Sequence, residues 1–257
     1  MKRFLRQLRS ELKRSVFTLR FLLAALGFAL LYCMNLPRET WPSTVPYCFS
    51  CGFGKGFYFA FLVCAAIPGS TGFLSESEDG YLVPLMQRIT SSEYCAAKVL
   101  ACACSGALVV LLGMGLYLAY LFLRFPMTSD VVVDFSGWAR LANQGRPGLY
   151  IAVLTWFTAL CGGVFAVLAL TASCWLKNTY ATLCFPLLFY YLLCEIASAL
   201  QIPYWLYLDV MKNIPLFPDS IIGSVLYFTA YLLLLGLLAG SVFDHRVRRL
   251  QENGYRT

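Results

Sequence analysis

The sequence predicts an all-α membrane protein, and three observations carry that expectation. Sixty percent of its 257 residues are apolar and its mean hydropathy is +0.69, against about 45–50% apolar in a typical soluble chain. The apolar residues gather into six runs, near 20–36, 57–74, 95–123, 149–175, 181–200 and 221–243. Each can cross about 30 Å of hydrocarbon, which takes roughly twenty residues rising 1.5 Å apiece. Basic residues are distributed unevenly between the two sets of connections, as they are in multi-pass proteins. A formal charge of +7, which in a soluble protein would suggest nucleic acid, is expected here to face anionic headgroups.

Taken in order, residues 1–19 set Phe4, Leu5, Leu8, Leu12, Val16 and Leu19 at near-helical spacing, with Lys2, Arg3, Arg6, Arg9, Lys13 and Arg14 around the rest of the circumference. That pattern predicts an amphipathic helix lying in the headgroup plane, the alternative being a disordered basic tail. The first apolar run follows a charged stretch long for a secretory signal and has no clear small-x-small cleavage site after it, so it is expected to be a retained span, with a signal anchor as the alternative. Six crossings, over 20–243, put both termini on one side. That side holds fourteen Lys and Arg, including Arg88, Lys98, Lys177 and the basic tail at 244–257; the other side holds six. The positive-inside rule then places both termini in the cytoplasm.

The outer connections differ among themselves. Residues 37–56 carry prolines, the pair Cys48 and Cys51 and the glycine-rich GFGKG; residues 124–148 read as a polar cap. Residues 201–220 mix Pro203, Tyr204, Trp205, Tyr207, Pro215 and Pro218. Too broken to cross, that segment is expected to dip into the outer interface, where amphipathic aromatics prefer to lie. No internal repeat or low-complexity tract is visible.

Little in the chain points to catalysis. Most of the eleven cysteines fall inside apolar runs, where a thiol serves as a small hydrophobe. Cys48-x-x-Cys51 on the outer side can form a disulfide or a redox pair, but zinc would need two further ligands, and the single histidine, His245, lies on the opposite face. GFGKG lacks the spacing of a phosphate loop, and no Ser-His-Asp set can be assembled. Ala159, Gly162, Gly163 and Ala166, and again Gly236 and Gly240, permit close helix approach, read first as ordinary bundle packing and second as a dimer seam. Glu195 is the one carboxylate well inside a run, so it should face protein, water or a partner. Its role is either pathway or subunit interface, or a protonated or hydrogen-bonded group within the bundle.

The most informative stretch runs from Phe73 to Leu100, FLSESEDGYLVPLMQRITSSEYCAAKVL. Phe73 followed by Glu76, then Gly80, Leu82 and Leu85, a turn with Ser91 and Ser92, and Lys98 opening the next run together resemble the signature of type-2 ABC transporter permeases. The chain departs from that pattern at Tyr81, where the family has threonine, and at Ile89, where it has proline, and no glycine precedes Lys98. The layout is similar as well: a basic amphipathic helix, six spans, a loop between spans two and three, and a broken outer segment between spans five and six.

The resemblance implies that the loop at 75–94 holds a cytoplasmic coupling helix that docks on a separate ATPase, with Glu78, Gly80, Leu82, Leu85, Arg88 and Ser91 as the coupling residues. Glu76 and Glu78, near the mouth of span two, are expected to pair with the amphipathic helix at Arg6, Arg9 or Arg14, the alternative being a solvated acidic loop end. It further implies a cell-membrane exporter subunit with no enzyme activity and no bound cofactor of its own. ATP and Mg would sit on the partner ATPase, and a second permease copy or a paralogue would complete the pore. Two rivals stay open: a membrane thiol redox protein using Cys48 and Cys51, and a non-transporting anchor or sensor that recruits an ATPase.

Overall fold

The computed structural model describes residues 2–36, 44–53, 61–80, 90–127, 137–203, 217 and 220–254. Among these residues every regular element is helical. The chain runs through α1 (Lys2–Val16), α2 (Leu19–Met34), α3 (Val45–Phe53), α4 (Phe61–Ala66), α5 (Gly72–Glu78), α6 (Ser91–Arg124), a single 3₁₀ turn at Gly137–Ala139, α7 (Arg140–Asn143), α8 (Pro147–Ala172), α9 (Thr179–Ala199) and α10 (Ile221–Gly254).

Four of these, α6, α8, α9 and α10, are long and apolar enough to cross a membrane, and α1 with α2 makes a fifth if that bent pair counts as one span. The protein is therefore an α-helical, multi-pass membrane protein. The second expected span, 57–74, is interrupted: α4 stops at Ala66, and α5 begins at Gly72 after a turn through Pro68 and Gly69. Proline supplies no backbone N–H, and the turn presses Gly69 against α6. A Cβ at Gly69 would lie 2.9 Å from both Cys102 Sγ and Ser105 Oγ, so the break is where the chain seats on its neighbour.

α1 is the amphipathic helix that its period predicts. Phe4, Leu8, Leu12 and Val16 are half-buried, Arg6, Arg9, Lys13 and Arg14 are exposed, and the helix packs along α6. It meets α2 at 56°, where Thr18 caps α2 by accepting the Phe21 N–H at 3.3 Å.

The core forms around α8, which is flanked by α4, α6, α9 and α10. Its small residues let α6 come close: a Cβ on Gly106 would stand 2.7 Å from Ala166 Cβ, and one on Gly163 would stand 2.9 Å from the Ala103 carbonyl. That intrachain packing is the first of the two readings of Gly162 and Gly163. At the opposite end, α3 closes the bundle. The Tyr117 hydroxyl donates to the Cys48 carbonyl at 2.8 Å and the Asn35 amide to Gly52 O at 3.3 Å, while Tyr32 stacks on Phe28 and Phe49 on Tyr117.

The apolar side chains that the bundle leaves exposed include Leu22, Leu23, Leu26 and Leu30 on α2, Leu188, Leu192 and Ile196 on α9, and Leu226, Leu233 and Leu237 on α10. So large an apolar exterior suits lipid or another membrane chain. α10 runs on past the apolar run into the basic stretch from 244, as far as Gly254. Asp244 and Arg248 pair across one helical turn at 2.8 Å, and the Arg246 guanidinium lies over the Trp175 ring.

Candidate functional site: a buried ionic junction

Three helices meet at Glu76. It lies on the last turn of α5 facing inward, and only 2% of its side chain is exposed. Arg14 Nη1, from α1, donates to Oε1 at 2.7 Å. The Tyr94 hydroxyl donates to Oε2 at 2.7 Å, and Lys98 Nζ donates to the same oxygen. Tyr94 and Lys98 stand four residues apart on α6 and so share one face; the ammonium also lies 5.1 Å from the centre of the Tyr94 ring. Glu11, one turn before Arg14 on α1, brings a second carboxylate to 3.9 Å from Lys98.

The sequence makes this arrangement by short-range rules. Thr90 is the N-cap of α6: its hydroxyl accepts the Glu93 N–H at 3.4 Å and donates to Glu93 Oε2 at 3.0 Å, which fixes the helix start at Ser91. α5 ends at Glu78, with Asp79 as its cap and Gly80 at φ +67°, a left-handed position that glycine occupies at no steric cost. The inner face of α5 is Phe73, Leu74 and Glu76, while Glu78 and Asp79 are exposed.

Taking a carboxylate and an ammonium out of water costs several kcal/mol per ion, and good geometry with further hydrogen bonds is needed to offset it. Glu76 has both: three donors converge on its two oxygens. Glu11 is less well served. Burial pushes its carboxyl above the ordinary value; the Lys98 ammonium opposes that shift, Glu76 reinforces it and Arg14 opposes it.

Of the pairings expected for Glu76 and Glu78, the structure forms the one between Glu76 and Arg14, while Glu78 is exposed and makes no ion pair among the described residues. Arg6 and Arg9 are exposed and make no ion pair among the described residues. Lys98, expected to open the next span, turns out to be the main buried partner. Tyr94 and Glu11 were not foreseen, though Glu11 is the only acid in residues 1–19, and an acid on an otherwise basic helix is a readable sign of an inward partner. Glu78 and Gly80 lie at the exposed end of α5 and Ser91 opens α6. Leu82, Leu85 and Arg88 lie outside the described residues.

Glu195 is exposed on α9 between Leu192 and Ile196 and has no ion-pair partner among the described residues. It stands one turn from the helix end at Ala199. Cys48 and Cys51 lie three apart on α3, both as thiols. Burial, with Cys51 adding to it, pushes the Cys48 thiol up to about 11, the reverse of what a reactive thiolate needs. Among the described residues no group of three His, Cys, Asp or Glu is placed to hold a metal.

What the junction can do is mechanical. It fastens α1 to α5 and α6, the two helices that bracket residues 81–89. No protein-family model matches the chain, and no match is found among curated proteins or among solved structures.

Proposed function

We propose that the chain is the membrane-spanning permease subunit of an ATP-driven exporter in the cell membrane, with both termini cytoplasmic and six crossings. ATP and Mg are bound by a separate ATPase, and a second copy or a paralogue completes the pathway. The segment at 75–94 is the handle that the ATPase moves, through Glu78, Gly80, Leu82, Leu85, Arg88 and Ser91.

The observation that carries this reading is the Glu76 junction. A force applied to the segment between α5 and α6 reaches both helices at once, and Arg14 passes it to the amphipathic helix; rigid elements so joined move as a body. The surplus of basic residues on the same side as that segment supports a cytoplasmic placement. Against a thiol redox function stands the burial of Cys48 with its raised thiol. A recruiting anchor would share the junction but would leave efflux unchanged when Glu78 and Leu82 are altered.

The test is a photoreactive amino acid at Leu85 in native membranes, read together with ATP hydrolysis by the purified complex. An adduct with a soluble ATPase whose turnover depends on this chain is the expected result. Labelling of Ser92→Cys from outside intact cells, or no ATPase adduct from any position across 82–88, would overturn the proposal.

A further inference from the structure

Beside the junction lies a cavity of about 390 Å³, bounded by the end of α1, the first turn of α2, the Pro68–Gly72 break and α6. Arg14, Arg20 and Lys98 line it, with Glu11 as the one carboxylate on its wall. Counting Glu76 as well, three cations face two acids. The surplus charge sits on Arg20, which is exposed and makes no ion pair among the described residues. Arg14 commits one guanidinium nitrogen to Glu76, which leaves further N–H donors of its planar fork available. Thr71 adds a hydroxyl with no hydrogen-bond partner among the described residues.

The cavity also has a polarity axis. On one side runs the basic face of α1. On the other, past the 56° bend, α2 exposes Leu19, Leu22, Leu23 and Leu26 in succession. A ligand that satisfies both sides has an anionic head and an apolar tail. The volume fits a headgroup, and guanidinium forks match phosphate oxygens.

We propose that this cavity holds the phosphate of an anionic glycerophospholipid from the leaflet on which α1 lies, with the acyl chains along α2. Arg20 and Arg14 bind the phosphate oxygens, Thr71 donates a further hydrogen bond, and Lys98 supplies field from behind. The site depends on the chain being membrane-embedded and not on its being an exporter. Lipid occupancy wedges the α1–α2 bend and so sets the angle at which the amphipathic helix meets the bundle.

The experiment uses the full chain in detergent, with native mass spectrometry for bound lipid and thermal melting for its effect. Phosphatidylglycerol, phosphatidylcholine of the same acyl chains, and inorganic phosphate are added separately. Phosphatidylglycerol should be retained and should raise the melting temperature, while the other two should do neither. Arg20→Gln should weaken phosphatidylglycerol about fivefold, the weight of one basic side chain at an anionic surface. It should leave melting without lipid unchanged, and Arg20→Lys should restore most of the loss. Thr71→Val provides a second, independent reduction should the arginine variant fail to fold. Equal retention of the two lipids, or no effect of either substitution, would overturn the assignment. Protection by inorganic phosphate equal to that by lipid would also overturn it, leaving a soluble-anion site.

Discussion

Replacing Glu76 by glutamine should be among the most destabilising single changes in the molecule, and the structure sets its size. Glutamine keeps the shape and an acceptor for the Tyr94 hydroxyl but removes the charge. Lys98, whose side chain is 3% exposed, would then retain only Glu11, at 3.9 Å. Stripping one partner from a buried ion pair costs about 3–5 kcal/mol, because the other charge stays buried without it. Arg14 adds little: its side chain is 57% exposed, and pairs open to water contribute about 0–1 kcal/mol. At about 2–4 °C per kcal/mol for a chain near this length, Glu76→Gln should melt roughly 6–20 °C below the parent by tryptophan fluorescence in detergent. Arg14→Gln should lie within a few degrees of the parent. The double change Glu76→Gln with Lys98→Met should recover most of the loss, since removing both charges also removes their desolvation. Two outcomes would refute the reasoning: Arg14→Gln costing as much as Glu76→Gln, or the double variant melting no higher than the single one.

Three further outcomes follow from the same structure. Gly106→Val should destabilise the bundle by about 1–3 kcal/mol through overpacking, since even a Cβ there would meet Ala166 Cβ at 2.7 Å, whereas Gly115→Ala, with nothing within 4 Å, should not; melting curves of the two compare them directly. Because burial holds the Glu11 carboxyl above its ordinary 4.5, the folded state binds that proton more tightly than the unfolded one, and stability falls as pH rises from the ordinary value through the raised one. Glu11→Gln should therefore melt higher than the parent at neutral pH and equal to it once both states are protonated, and a parent that melts higher at neutral pH would contradict this. With its thiol pushed up to about 11, Cys48 should react with maleimide far more slowly at pH 8 than a free cysteine does, as mass spectrometry of the labelled peptide would show; fast labelling would reopen the redox alternative.

Periodicity and charge made the long elements legible. α1, α6, α8, α9 and α10 all fall where the apolar period puts them, because each is continuous over many turns and a hydropathy window averages over a whole crossing. The same averaging hid the interruption at Pro68 and Gly69. The residues around that break, Cys64 to Ile67 and Phe73 to Leu74, are as apolar as a continuous span, and the turn is decided by how closely Gly69 packs on Cys102 and Ser105. The junction was legible by half. A carboxylate three residues after Phe73 and a basic amphipathic helix suggested the pair with Arg14. The choice of Arg14 over Arg6 and Arg9 depends on the angle at which α1 crosses α6, and no local pattern encodes a crossing angle. Tyr94 is invisible without its partner, since tyrosine near the end of a span is equally suited to the headgroup level.

α6 joins the buried ionic junction to the hydrogen bond that holds α3. Lys98 and Tyr94 bind Glu76 near one end, and Tyr117 binds the Cys48 carbonyl of α3 near the other. Nineteen residues separate Lys98 from Tyr117, about 28 Å along an uninterrupted helix. Between them Gly106 and Gly113 lie hard against α8 and α2, which holds the rod sideways while leaving it stiff along its length. A tilt imposed on α6 at the junction must therefore appear at α3, since a close-packed interface shifts as a unit and does not absorb displacement gradually. Spin labels at Ser92 and at Ser50, compared between the parent and Glu76→Gln, would show whether loosening one end changes distances at the other. An unchanged distance distribution at Ser50 when Ser92 moves would mean that the rod bends between them, and the junction would then hold the fold together without transmitting anything.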